Sequence, residues 1–279
     1  MRIVLIVVLT LSLSACGGDE PERVVFAAFY PLAYAADRVA PDTEVRNLTP
    51  PGVEPHDFEL SARDVGGIED AKVVLYFGAG FQPALEEALA ATDARAVDLL
   101  DDIDLRTGDE GGRDPHVWLD PLRYARVVAR IAAELGRPGQ ARPLVAELET
   151  LHAEFERGLG DCVRRELVTS HAAFGYLADR YGLEQVAITG LSPEAEPRPG
   201  ELREVVEEVR SHGATTVFFE TLVSPRLAET VAREVGARAA VLNPLEGLTE
   251  AELARGEDYF SIMRANLAAL SRALECRPQ

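Results

Sequence analysis

The strongest constraint in this chain is a rhythm that occurs twice. Short apolar runs of strand character alternate with segments of helical spacing, first from Val24 to Leu99 and again from Glu166 to Leu274. In the first half, Val24 to Phe29, Glu44 to Leu48, Lys72 to Phe77 and Ala96 to Leu99 read as strands. Leu32 to Val39 and Gln82 to Ala91 read as helices, and Ser61-Ala62-Arg63-Asp64 opens a third with capping-box spacing. In the second half the strands are Glu166 to Ser170, Gln185 to Ile188, Thr215 to Glu220 and Arg238 to Leu242. The helices there are Ala173 to Tyr181, Gly200 to Ser211, Pro225 to Val235 and Asp258 to Leu274. Such alternation builds a mostly parallel sheet flanked by helices. Between the halves, Pro121 to Arg165 is mostly helical, interrupted once at Arg137-Pro138-Gly139, and has none of the glycine-serine character of a flexible linker. The expected fold class is therefore α/β: two lobes, 24–120 and 166–279, each with a mostly parallel sheet, joined by a rigid long helix within 121–165.

The first residues have the layout of a secretory signal. Met1-Arg2 is basic, Ile3 to Leu13 is an apolar run too short to span a bilayer, and a polar stretch follows. Leu13-Ser14-Ala15-Cys16 resembles a bacterial lipobox. On that resemblance residues 1–15 are a signal peptide, Cys16 is the lipidated first mature residue, and 16–23 tether the protein to the bilayer. The alternative is a plain signal peptide cleaved nearby. Cys162 and Cys276 remain, in a compartment where disulfides persist. Their even count leads us to expect a disulfide, which would contribute on the order of 4–5 kcal/mol by closing a long loop. Two separate buried thiols are the alternative.

The formal net charge is −19. That field repels polynucleotides, so no nucleic-acid partner is expected. It attracts cations, although acidity also serves solubility alone.

Against this background five histidines stand out: His56, His116, His152, His171 and His212. His56 lies in the loop after the second strand. His116 follows the acidic loop 101–115 and precedes a helix, and His171 follows a strand directly. Ligands of open α/β sheets bind outside the carboxyl ends of strands, so two facing lobes would bring these three to one cleft. Three imidazoles and one further ligand complete a tetrahedral zinc site. His152, beside Glu149 and Glu156, and His212, at a helix end, read as surface histidines.

Three segments, PGVEPHDFEL (51–60), DPHVWLDP (114–121) and TSHAAFGYLADRYGL (169–183), resemble the zinc-type members of the ZnuA-like, cluster A-I family of solute-binding proteins. VFFETLVSP (217–225) and the final helix extend the resemblance over nearly the whole mature chain. It implies that His56, His116 and His171 are metal ligands. It also implies a monomer that delivers its ion to the membrane permease of an ABC importer, outside the cytoplasm. A histidine at 171, where manganese-type members carry a carboxylate, points to Zn2+ over Mn2+. By intrinsic affinity copper would outcompete both.

Two features depart from the family pattern. The loop 101–113 is acidic and lacks the histidines that zinc members often carry there. The family's aspartate ligand near the last strand aligns with Asn243. An amide is a poorer zinc ligand than a carboxylate. The fourth position is thus open to water, Asn243, Glu54 or Glu220. Water is favoured, with Glu220 standing behind a histidine and accepting its N–H. The runner-up function is a zinc hydrolase or hydratase using the same histidines, with Glu220 as base. No His-Glu-x-x-His signature supports it. A site for an organic solute would want aromatic walls, and aromatic residues are only 6% of the chain.

Overall fold

The inner strands form where the sequence offers three or four consecutive residues that can be buried on both faces, as parallel sheets require, and the edge strands are more exposed. The computed structural model describes residues 24–108, 111–193 and 197–277. The signal segment 1–15, Cys16 and the tether 16–23 lie outside the described residues. The first half runs β1 (Val25–Ala27), α1 (Tyr30–Val39), β2 (Val45–Asn47), α2 (Ala62–Glu69), β3 (Val73–Tyr76), α3 (Pro83–Ala90) and β4 (Ala96–Asp98). The link is α4 (Pro121–Glu134) and α5 (Ala141–Leu159). The second half runs β5 (Glu166–Thr169), α6 (Gly175–Tyr181), β6 (Glu184–Ala187), α7 (Pro199–Ser211), β7 (Thr216–Phe219), α8 (Arg226–Val235), β8 (Arg238–Val241), α9 (Glu250–Ala254) and α10 (Tyr259–Ala273).

The two sheets have one topology. Their orders are β2-β1-β3-β4 and β6-β5-β7-β8, and every pairing is parallel. In each, the order reverses beside the first strand, which opens a crevice at the carboxyl ends.

The link differs from a single long helix. Gly136, at φ 73°, and the 3-10 turn Pro138–Gln140 fold α5 back so that it packs along α4. Leu144, Leu148, Leu151 and Phe155 form the buried stripe of α5. One continuous core joins that stripe to Phe29, Phe77 and Trp118 on one side and to Tyr176, Phe260 and Met263 on the other. A smaller core, including Val168, Val217 and Val231, lies on the other face of the second sheet under α7 and α8. Burying each large apolar side chain of the shared core is worth about 1.5–3 kcal/mol. A hinge that separated the sheets would expose several of them at once, so the fold resists wide opening. The Cys162–Cys276 disulfide ties the end of α5 to the segment after α10.

Candidate metal centre

The segment DPHVWLDP shows how local chemistry builds the site. Asp114 folds back on its own loop: its Oδ1 accepts the backbone N–H of His116 at 3.0 Å and lies 2.8 Å from His116 Nδ1. Val117–Leu119 form one buried 3-10 turn. Asp120 then caps α4 by accepting from Leu122 N–H, while Pro121 takes the first helical position, where no N–H is needed. Asp120 also accepts from Arg180 of α6 at 2.7 Å, joining the two halves beside the site.

His171 leaves β5 in extended backbone, φ −135°. Its carbonyl accepts from Thr169 Oγ1 at 2.7 Å, and Glu220, just past β7, places Oε1 2.8 Å from its Nδ1. His56 sits in the loop after β2. Glu54 shapes that loop by accepting the N–H groups of His56 and Asp57 at 3.1 and 3.2 Å.

These three rings converge, with centroids 5.4–6.2 Å apart. A fourth group faces them, one that the sequence reading did not name. Glu246, in the loop after β8, sets Oε1 3.5 Å from His56 Nε2, 3.3 Å from His116 Nε2 and 3.1 Å from His171 Nε2. One ligand atom from each of the four lies within 4.8 Å of every other, the only such group of potential metal donors among the described residues. The set is shielded from water: Glu246 and His116 are fully buried, and His56 is 9% exposed.

The other residues considered from sequence are engaged by other partners, and Glu220 stands directly behind His171. Asn243 points away from the rings, donating to Thr221 and Glu252 and accepting from Leu245 N–H. Glu54 is spent on backbone N–H groups, and Glu220 on His171 and Ser170. His152 of α5 contacts Glu156 on the same helix and Tyr181 of α6, and His212 ends α7. The acidic loop closes on itself through a Thr107–Arg113 bridge, and Asp102 pairs with Arg130.

Electrostatics give the arrangement its meaning. Carboxylates accept at Nδ1 of His116 and His171, so those nitrogens carry the proton and each Nε2 is free to be the ligand atom. Three Nε2 atoms and a carboxylate aimed at one point need a cation there. His56 Nε2, His116 Nε2 and Glu246 Oε2 are buried without a hydrogen-bond partner, as donors awaiting an ion would be. Without metal, protons serve instead. Burial alone would lower His171, but Glu220 and Glu246 outweigh it and hold the ring well above the ordinary imidazole range. Burial opposes His116 too, and Asp114 and Glu246 raise it. In His56 burial prevails and the pKa falls. Burial would raise Glu246, yet the three histidines hold it well below the usual carboxylate range. Burial, reinforced by Glu246, pushes Glu54 up to about 8.

Residues 25–273 match the family described as ZnuA, zinc-uptake complex component A, periplasmic. The zinc-binding lipoprotein AdcA of Streptococcus pneumoniae is 35% identical over 95% of this chain, and the alignment spans only 59% of AdcA's own length. The high-affinity zinc uptake system protein ZnuA of Bacillus subtilis is 31% identical, covering 95% of this chain and 94% of that one. The crystal structure of the Zn(II)-bound ZnuA-like domain of S. pneumoniae AdcA superposes with a TM-score of 0.78 at 36% identity, over 91% of this chain and all of that domain. With all but its ends matched, the chain belongs to the zinc-uptake complex component A family.

Proposed function

We propose that this protein captures one zinc ion between its two sheets, outside the cytoplasm, and delivers it to the membrane permease of an ABC importer. His56, His116, His171 and Glu246 are the ligands in this reading. The observation that carries it is their convergence: three imidazole nitrogens and one carboxylate, buried, within mutual reach of a single ion. Imidazole-rich donor sets suit zinc, whereas manganese prefers oxygen. The family match supports zinc as cargo and an importer as destination. The lipobox-like Leu13-Ser14-Ala15-Cys16 supports attachment to the membrane through Cys16, with the folded part working as a monomer. No helix among the described residues is long and apolar enough to cross a membrane.

A hydrolase reading has no observation in its favour. Glu246 faces the rings where a reactive water would have to sit, and Glu220, the base it would use, is engaged by His171 and Ser170. Because the shared core resists wide opening, release uses small shifts of the ligand loops once the permease is engaged.

Metal analysis of the purified mature chain tests the capture step, with one tightly held zinc per chain expected. A producing strain grown under zinc limitation tests delivery: His116→Ala should abolish growth, and added zinc should restore it. Cys16→Ala should shift the protein from the membrane to the soluble fraction. A chain that holds no zinc refutes the proposal.

A further inference from the structure

The loop that carries Glu246 is held in a costly shape. Leu245, just before it, is buried with φ 57°, the left-handed region that leucine rarely adopts. Neighbouring side chains hold it there. Asn243 Oδ1 accepts the Leu245 N–H at 2.7 Å. Asn266 of α10 grips the backbone of Asn243 from both sides, accepting its N–H at 2.9 Å and donating to its carbonyl at 2.7 Å. Trp118 Nε1 donates to the Pro244 carbonyl at 2.7 Å. The Asn243 amide nitrogen donates to Glu252 Oε1 at 3.1 Å and to Thr221 Oγ1 at 3.2 Å. Asn243, Asn266 and Glu252 are all buried. The other oxygen of Glu252 accepts from Thr249 N–H and Oγ1, so the carboxylate is fixed at the start of α9.

We propose, building on the zinc reading above, that Asn243 is a positioning residue for metal capture. Its amide, locked between Glu252 and the Leu245 N–H, holds the left-handed turn that aims the Glu246 carboxylate at the three imidazoles. The chemistry requires an amide. Aspartate has the same shape and could still accept from Leu245, but it has no donor for Glu252. It would set a second buried carboxylate against the first, and the loop would shift to separate them. If residue 243 were instead a ligand, aspartate would bind zinc better than asparagine. The two roles give Asn243→Asp opposite signs.

The test is chelator-competition titration of zinc on the full mature chain, comparing wild type, N243D, E246Q, N243D/E246Q and N243D/E252Q. N243D should raise Kd by about 10–100-fold, the range for losing a ligand's support. Because it acts through Glu246, adding N243D to E246Q should change Kd by no more than about twofold, whereas a general structural defect would multiply the losses. N243D/E252Q exchanges donor and acceptor and should recover most of the affinity. The visible spectrum of bound Co2+ should change in N243D as it does in E246Q. N243D binding zinc as tightly as wild type or more tightly overturns the proposal, as do losses that multiply in the double variant. If N243D alone is unfolded, N243D/E252Q decides: near-wild-type affinity supports the proposal, and a folded pair still impaired about tenfold or more overturns it. A wild type that binds no zinc would sink the zinc reading itself, an outcome distinct from a zinc-binding wild type with an indifferent N243D.

Discussion

Lowering the pH from about 8 to about 5 should strip zinc from this protein more steeply than from a site with one titrating imidazole. Each imidazole must be neutral to bind metal. In the metal-free chain His116 and His171 titrate above the ordinary value, because Asp114, Glu220 and Glu246 outweigh their burial. His56 titrates below it and is already neutral near pH 7. Wherever both rings carry their second proton, two protons must leave for each zinc that binds. While both are present, affinity should fall about 100-fold per pH unit, or roughly 2.7 kcal/mol at 1.36 kcal/mol per proton. The fall should begin above the ordinary histidine value of about 6.5, since both pKa values are raised. Glu246 is held well below the usual carboxylate range and does not join until strongly acid pH. Glu54, at about 8, is mostly protonated near neutrality, and a zinc ion nearby would favour its ionised form. Binding near neutral pH should thus release protons, from the two raised histidines and from Glu54. The metal-free fold has the matching dependence. The stabilisation from His116 and His171 is full below about pH 6.5 and is lost as pH rises through their folded values. Glu54, also raised, adds to that loss as pH climbs toward 8. Glu246 acts oppositely, stabilising above its unfolded value and losing that contribution as pH falls through its depressed one. The melting temperature of the metal-free protein should therefore decline above about pH 6.5, while the rise on adding zinc grows. Chelator competition at several pH values gives the slope, and calorimetry in buffers of different ionisation enthalpy counts the protons. Affinity that is flat between about pH 6 and 8, or binding without proton release, would refute the reasoning.

Two further outcomes follow from the same geometry. Asp114→Asn and Glu220→Gln each remove the charge behind one histidine without removing a ligand, and each should weaken zinc binding about 10–100-fold by competition titration. Unchanged affinity in both would mean that those carboxylates only brace the loops. The double variant Cys162→Ser/Cys276→Ser should lose about 2–5 kcal/mol of stability in denaturant unfolding. Its zinc affinity should stay within about twofold, because the bond lies near the amino end of β5 and His171 follows its carboxyl end.

Most of the architecture was legible because parallel strands and their covering helices leave strong local patterns. The buried runs at 25–27, 73–76 and 216–219 could not be exposed, and Ser61 with Asp64 marked the start of α2 by its side-chain chemistry. Short elements were harder. The 3-10 turn at Val117–Leu119 and the five-residue α9 contain too few residues for periodicity to show. Thr249 and Glu252 did offer a capping-box signal for α9. The fold-back between α4 and α5 was visible only as a break at Pro138-Gly139, because spacing along one segment does not say where the next segment packs. At the site, the loops bearing His56 and His171 could be placed by their strands, and His116 by the helix that follows it. Glu246 could not, since its role depends on a left-handed turn at a leucine, which has no sequence signature. One clue was available: a lone glutamate in the stretch Leu242-Asn243-Pro244-Leu245-Glu246-Gly247-Leu248, where a buried charge must find a partner. Asn243, whose position resembles that of the family's carboxylate, contacts instead the Leu245 backbone, Thr221 and Glu252.

Zinc K-edge X-ray absorption on the loaded wild-type chain, paired with metal analysis of the H56A/H116A/H171A variant, probes the convergence of these four side chains most directly. Three imidazole nitrogens and one carboxylate oxygen at about 2.0–2.2 Å are expected, with no stoichiometric zinc left in the triple variant. An all-oxygen or sulfur-containing shell, or one zinc per chain retained without the three histidines, would contradict the account.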